Sequence, residues 1–241
     1  MALISKYYIK VLQITLNSKI YLHQRIVITF AIQIDMMKIF VTGIGTDVGK
    51  TIASAIITES LQADYWKPIQ AGDVDNSDSH KIKAYLSNSK TKIHPNSYLL
   101  QTPASPHLAA TLDGISIDLK EIIEPKTKNN LVIEGAGGIF VPINDNETIA
   151  DLIRKDHKVI VVSRHYLGSI NHTLLTIEAM QNRKINIAGI IFNGNENKSS
   201  EEIILNKTGL KFIGRIEDEP YFDKNVIKEY ADLFRDNLVN L

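Results

Sequence analysis

From residue 37 onward the sequence predicts an α/β domain, a parallel sheet covered by helices on both faces. Short apolar runs of four to six residues alternate with segments of helical periodicity, the pattern of successive βαβ units. No repeat, low-complexity tract or strong linker interrupts them after Met37. The turn between the first strand and the first helix is rich in glycine, the setting in which a parallel sheet binds anions.

Lys38–Gly43 is the first apolar run, and Lys50–Leu61 reads as the helix after it. Asp64–Lys67 is a short strand ended by Pro68; an Asp-, Asn- and Ser-rich loop leads to a helix starting near Asp78. Residues 87–116, with Pro95, Pro103 and Pro106, predict an irregular stretch. Asn130–Glu134 is a strand that ends in an acid before Gly135-Ala-Gly-Gly138. Thr148–Asp156 predicts a helix, Lys158–Val162 a buried strand and Ser169–Arg183 a helix. Ile187–Phe192 and Lys211–Gly214 add strands, and Val226–Leu238 has helical spacing.

The composition is that of an ordinary globular chain: 241 residues, 44% hydrophobic and 22% charged. Lys+Arg and Asp+Glu balance at 27 each, which gives no electrostatic reason to expect nucleic acid or an anionic membrane as partner. The absence of cysteine excludes disulfides, thiolate ligands and a cysteine nucleophile, and fits a reducing compartment such as the cytoplasm. The first 36 residues differ: Lys6, Lys10, Lys19 and Arg25 face a single acid, Asp35. Their best apolar run, Ile26–Ile34, falls far short of the ~20 residues of a membrane helix. It also lacks the layout of a signal peptide, whereas a basic, acid-poor segment is compatible with a transit peptide. Residues 1–36 are therefore set apart as an N-terminal extension, an accessory strand or helix or an upstream addition, and 37–241 as the single functional domain.

The stretch Thr42-Gly-Ile-Gly-Thr-Asp-Val-Gly-Lys-Thr51 is a phosphate loop with an unusual count. The common form has four residues between its first glycine and Gly-Lys-Ser/Thr; here Gly43 stands one position early. Strand before and helix after still provide the N–H groups and dipole that cradle phosphates, which predicts a P-loop NTPase-like fold. Lys50 reaches the β/γ oxygens in that reading, and Thr51 offers its hydroxyl to Mg²⁺. Phosphoryl transfer also needs acids at strand ends. Glu134 is so placed, and Asp73, Asp75 and Asp78 cluster after the second strand. By composition alone those three read equally as a solvated loop with Asp78 capping the helix, and Lys67 as a snorkelling lysine.

The loop, Trp66-Lys-Pro-Ile-Gln-Ala-Gly72, Asn76-Ser-Asp78, Ala104-Ser-Pro-His107, Val132-Ile-Glu-Gly-Ala-Gly-Gly138 and Leu167-Gly-Ser-Ile-Asn-His172 resemble, in this order, the motifs of dethiobiotin synthetases. The longer loop is itself a mark of that family. The resemblance implies an ATP-dependent ligase of biotin biosynthesis that closes a ureido ring. One amine of 7,8-diaminopelargonic acid (7,8-diaminononanoate) is carbamylated by CO₂, the carbamate is phosphorylated by ATP, and the second amine displaces phosphate.

The resemblance also implies the roles of individual residues. Lys67, Lys50 and Thr46 are the catalytic set, and Thr51, Asp78 and Glu134 hold Mg²⁺. ATP contacts come from Asp47, Val48, Gly49, Lys50, Thr51 and Ile52, from Asp78, and from Glu134, Gly135, Ala136 and Gly137. At the base end they come from Asn193, Gly194, Ile216 and Glu217. The diamine is met by Thr46, Asp47, Lys67 and Ala71, and by Ser169, Ile170 and Asn171 of a partner subunit in a homodimer. Ala71 replaces a serine of some relatives, Gly45 a polar residue, and Ile216-Glu217 the more usual Ile-Pro. His107 and His172 read as packing or capping residues and His80 as an exposed helix start.

Three other readings are weaker. An amidotransferase-type synthase would carry a glutaminase domain and a cysteine. A partition-type ATPase switch would carry an early loop lysine, absent from Thr46-Asp47-Val48. A degenerate nucleotide-binding subunit would have lost some of the lysines and ligands.

Overall fold

The structure is a computed structural model that describes residues 36–241. The extension set apart above lies, except for Met36, outside the described residues. Six strands build the centre of a parallel sheet: β1 (Lys38–Gly43), β2 (Asp64–Trp66), β6 (Leu131–Gly138), β7 (His157–Arg164), β8 (Ile187–Asn193) and β9 (Phe212–Ile216). With β4 (Ile93–His94) they run in the order β4-β2-β6-β1-β7-β8-β9, every pair parallel. A second, two-stranded sheet joins β3 (Ile69–Ala71) to β5 (Tyr98–Leu100). The apolar runs are buried on both sides, as a covered parallel sheet requires: Ile39–Val41, Val159–Val162 and Ile190–Phe192 are fully buried.

From β1 the chain proceeds through α1 (Lys50–Leu61) to β2 on one side; from β7 it proceeds through α4 (Ser169–Asn182) to β8 on the other. Right-handed crossovers in opposite directions put their helices on opposite faces. α1 packs on α2 (Asp78–Tyr85) and on the C-terminal α6 (Lys224–Val239); α4 packs on α5 (Lys198–Thr208). The connection from β6 to β7 passes over β1, so the loop after β1 opens at the point where the strand order reverses, where such sheets bind ligands. Among the described residues, no helix is long and apolar enough to cross a membrane.

Several local expectations change. The helix predicted over 148–156 shrinks to one 3-10 turn, Ile149–Leu152. Ile149 N donates to Val141 O at 3.0 Å and Ala150 N to Ile139 O at 2.8 Å, so these amides serve the turn after β6 and not a helical ladder. The stretch 87–116 holds β4, β5 and α3 (Pro106–Leu112); Pro106 opens α3, where its missing N–H is harmless. α5 has no counterpart among the predicted helices, although Asn197 caps its start and left-handed Gly209 its end. The helix after Ser77 is capped by Ser77 with His80, not by Asp78, which is the first helical residue.

The seam between β9 and α6 carries a tight contact. A Cβ on Gly214 would stand 2.1 Å from Phe234 Cε1, and Phe234 is itself buried. Gly214→Ala is expected to destabilise by about 1–3 kcal/mol through overpacking. Thermal unfolding checks this, and an unchanged midpoint would contradict so close an approach.

Candidate active site

The loop after β1 solves its count by lengthening the strand. Ile44, the extra residue, donates its N–H to Val162 O at 3.1 Å and buries its side chain, so it continues the β1–β7 ladder. Gly43 is needed because a Cβ there would lie 2.4 Å from Val48 Cγ2. Asp47 (φ 54°) and Gly49 (φ 94°) take left-handed conformations that turn the chain into α1. Val48 is buried, and Asp47 O accepts from Arg164 Nη1 at 3.2 Å.

Lys50 opens α1 and folds back, its Nζ donating to Gly45 O at 2.8 Å. Burial lowers its pKa to about 8, against the opposing pull of Glu134. Thr51 Oγ1 donates to Glu134 Oε1 at 3.0 Å. Lys67, just past β2, lies between two carboxylates: its Nζ is 2.6 Å from Asp78 Oδ2 and 2.9 Å from Glu134 Oε1. Burial alone would lower the Lys67 pKa, but Glu134 and Asp78 outweigh it and hold the ammonium charged. Burial likewise raises Asp78, and Lys67 more than reverses it. Of the three aspartates, Asp78 alone reaches Lys67; Asp73 pairs with Lys81 at 2.8 Å and Asp75 is exposed.

These groups border one cavity of about 820 Å³, together with Thr46, Asp47, Gly49, Ile52, Ala71, Ala136 and Gly137. Gly135 lies beneath it, packed within 3.1 Å of Phe40 at its would-be Cβ. Among the described residues no cluster of three or more acids or histidines forms a metal cage. Two carboxylates and a hydroxyl are the hard-oxygen set of an Mg²⁺ that keeps waters and takes phosphate oxygens, so the residues fit that ion.

The predicted base-end residues form a separate group at the ends of β8 and β9. Asn193 pairs in register with Ile216, and its Nδ2 donates to Val48 O at 2.9 Å, tying β8 to the loop. Gly194 N donates to Ile216 O at 2.8 Å, and Ile216 is fully buried. Glu217 is held by Arg215 at 3.1 Å. Ser169, Ile170 and Asn171 open α4 on a different cavity, of about 750 Å³, and the chain does not bring them to Lys67.

Sequence reasoning missed three site residues. Tyr65 OH donates to Glu134 Oε2 at 2.9 Å; it precedes Lys67 by two, so strand alternation could have found it. Gln70 Oε1 accepts from Asp78 N at 3.2 Å and fixes the start of α2. Arg164 closes β7 beneath the loop, with no local signal to mark it.

Behind the base end, Glu201 gathers Arg215 through two bonds of 2.8 and 2.9 Å and His165 at 2.9 Å. Burial pushes its carboxyl up, but Arg215 and then His165 hold it below its ordinary value. A depressed folded pKa stabilises above the unfolded value and ceases to as pH falls through the folded one. The stability advantage over Glu201→Gln is expected to be full near neutrality and to shrink below about pH 4, near the unfolded glutamate pKa. Thermal midpoints of both proteins across that range test it; a gap independent of pH would refute it.

A family model described as an AAA domain matches residues 37–226. The ATP-dependent dethiobiotin synthetase BioD of Christiangramia forsetii is 57% identical over 202 residues, 84% of this chain and 98% of that protein. Its namesake in Cytophaga hutchinsonii is 49% identical over 204 residues, 84% of this chain and 98% of that protein. Among solved structures, the cell division ATPase MinD of Pyrococcus furiosus has a TM-score of 0.54 at 11% identity, covering 82% of this chain and 98% of that one. That likeness concerns the fold alone, which is that of the P-loop NTPases. With near full-length relatives at such identity, the chain belongs to the ATP-dependent dethiobiotin synthetase family.

Proposed function

We propose that this protein is a ligase that closes the ureido ring of dethiobiotin from 7,8-diaminopelargonic acid, CO₂ and ATP, in biotin biosynthesis. One amine adds to CO₂ to give a carbamate and loses a proton. The carbamate oxygen attacks the γ-phosphorus, the bond to the β-bridging oxygen breaks, and ADP leaves behind a carbamic–phosphoric anhydride. The second amine attacks that carbonyl, expels phosphate and loses a proton, closing the ring. Family membership supports the reaction. The observation that carries it to this chain is the convergence of Lys50, Lys67, Thr51, Asp78 and Glu134 on one cavity.

Both the carbamate and the triphosphate are anionic, and their approach needs concentrated positive charge. Lys50, at the loop, is the group to hold the transferred phosphoryl oxygens. Lys67, kept charged by two carboxylates, is the group to orient the carbamate. Thr51, Asp78 and Glu134 are the ligands we assign to Mg²⁺, which when bound neutralises phosphate charge. Thr46, Asp47 and Ala71 line the part of the cavity we assign to the diamine. Main-chain groups of Gly49 to Ile52 and of Gly135 to Gly137 are assigned to the phosphates, and Asn193, Gly194, Ile216 and Glu217 to the base. The separation of Ser169–Asn171 from Lys67 within one chain supports a homodimer in which each subunit contributes that helix start to the other's diamine. Residues 37–241 would form the catalytic domain, acting in the cytoplasm without nucleic acid or membrane partners.

The test is product analysis by mass spectrometry after incubation with the diamine, bicarbonate, ATP and MgCl₂. Dethiobiotin formed in step with ADP is the expected result. ATP hydrolysis without ring closure would instead assign the chain another acceptor. Sedimentation of the protein, with Asn171→Arg alongside, tests the dimer.

A further inference from the structure

A third cavity, of about 290 Å³, lies on the other side of the strands that carry the catalytic groups and shares none of the catalytic cavity's lining residues. Phe40 pairs in register with Ile133, and Ile133 with Trp66, so the three form one row across β1, β6 and β2. Register partners project to one face of a sheet. Lys67 and Glu134, next in the chain to Trp66 and Ile133, border the catalytic cavity instead. Over the row lie two single 3-10 turns, Leu119–Glu121 and Ile149–Leu152, with Ile122, Glu124 and Arg154 from the segments that follow them. Such short turns cannot cover three strands as an α-helix does, and the void is what they leave.

The lining carries charge as well, and its two acids are already engaged. Glu124 is 2.6 Å from Lys38 and 2.9 Å from His157. Asp151 accepts from Thr148 N at 2.7 Å and Oγ1 at 2.9 Å, and from Arg183 at 3.3 Å. The cations retain free donors. Among the described residues Lys120 has no carboxylate partner, and Arg154 approaches Glu124 only at 3.9 Å while half exposed. An apolar floor beneath two cations with unused donors suits an amphipathic anion.

We propose that this cavity binds a small monocarboxylate with an aliphatic body, its tail on the Phe40–Ile133–Trp66 row and its carboxylate between Lys120 and Arg154. The volume lies at the lower end of small-ligand pockets, roughly 300–1,000 Å³, and limits the ligand to a short chain.

Trp66 is the only tryptophan in the sequence, so its emission reports on the floor directly. The full-length protein is titrated with octanoate, with octylammonium and with 1-octanol. The expected result is a saturable change with octanoate and at least tenfold weaker responses to the other two. Arg154→Glu and Lys120→Glu, both at exposed positions and checked by thermal unfolding, should each weaken octanoate at least tenfold. Lys50→Ala, in the catalytic cavity, should leave it unchanged. Equal responses to all three probes would mean non-specific apolar binding and overturn the proposal, as would no saturable response. Loss in Lys50→Ala with retention in Arg154→Glu would place the carboxylate in the catalytic cavity and overturn it too.

Discussion

Lys67→Met is expected to reduce ring closure by about 10²–10³-fold or more, the loss typical when one preorganised charge is withdrawn from a developing anion. The effect should fall on kcat. Lys50 and the main chain of the loop, which we assign to ATP, are not touched by the change, so nucleotide affinity should move much less. Stability should fall as well. The Lys67 ammonium is the group that stands between Asp78 and Glu134, at 2.6 and 2.9 Å, and all three are largely buried. Removing one partner from a buried charged group costs about 3–5 kcal/mol, because the remaining charge loses its compensation. Methionine keeps the apolar volume of the stem, which separates the charge effect from a cavity effect. Arginine is no substitute: its planar fork does not fit where one small ammonium is shared by two carboxylates. Steady-state kinetics with a parallel ATP-binding titration decide the matter. A folded Lys67→Met protein with more than a tenth of the parental ring-closing rate would remove Lys67 from the chemistry.

Much of this geometry could be read from the sequence, because much of it is local. β1, α1, β6, β7 and α6 announce themselves through runs whose burial follows directly from their apolar pattern, and the loop between β1 and α1 through its glycines. What escaped depends on tertiary partners. Ile149–Leu152 has the periodicity of a helix, yet the amides of Ile149 and Ala150 are taken by Val141 and Ile139 across a turn. Pro68 reads as a strand end, but Ile69–Ala71 pairs beyond it with Tyr98–Leu100, which residue-by-residue propensity does not reveal. Pro106 reads as a breaker and instead starts a helix. At the site the same division holds. Lys50 and Thr51 are marked by their motif, whereas Asp78 is set apart from Asp73 and Asp75 in the sequence only by resemblance, and in the fold by its 2.6 Å approach to Lys67. Tyr65 and Arg164 matter through contacts to Glu134 and Asp47, residues far from them in sequence.

Gly49→Ala should weaken nucleotide binding by about 10–300-fold while Gly45→Ala does almost nothing. Both glycines belong to the same loop, so the contrast depends on geometry and not on composition. Gly49 has φ 94°, a left-handed conformation that disfavours any side chain by roughly 1–2 kcal/mol. Its would-be Cβ lies 2.3 Å from Asn193 Nδ2, whose bond to Val48 O ties β8 to the loop. Displacing that amide forfeits a hydrogen bond, a further loss of about 0.5–1.5 kcal/mol. The two together, about 1.5–3.5 kcal/mol, correspond to the stated loss at 1.4 kcal/mol per tenfold. It falls on nucleotide affinity because Gly49 caps the start of α1, whose free N–H groups we assign to the phosphates. At Gly45, by contrast, nothing lies within 4 Å of an added Cβ and φ is not positive. Titration with a non-hydrolysable ATP analogue tests the pair. Equal losses in the two variants would mean that the loop needs flexibility throughout, not one left-handed residue at the helix start. A silent Gly49→Ala would mean that Asn193 can withdraw from Val48 without disturbing the loop, and that β8 does not position the proposed phosphate site.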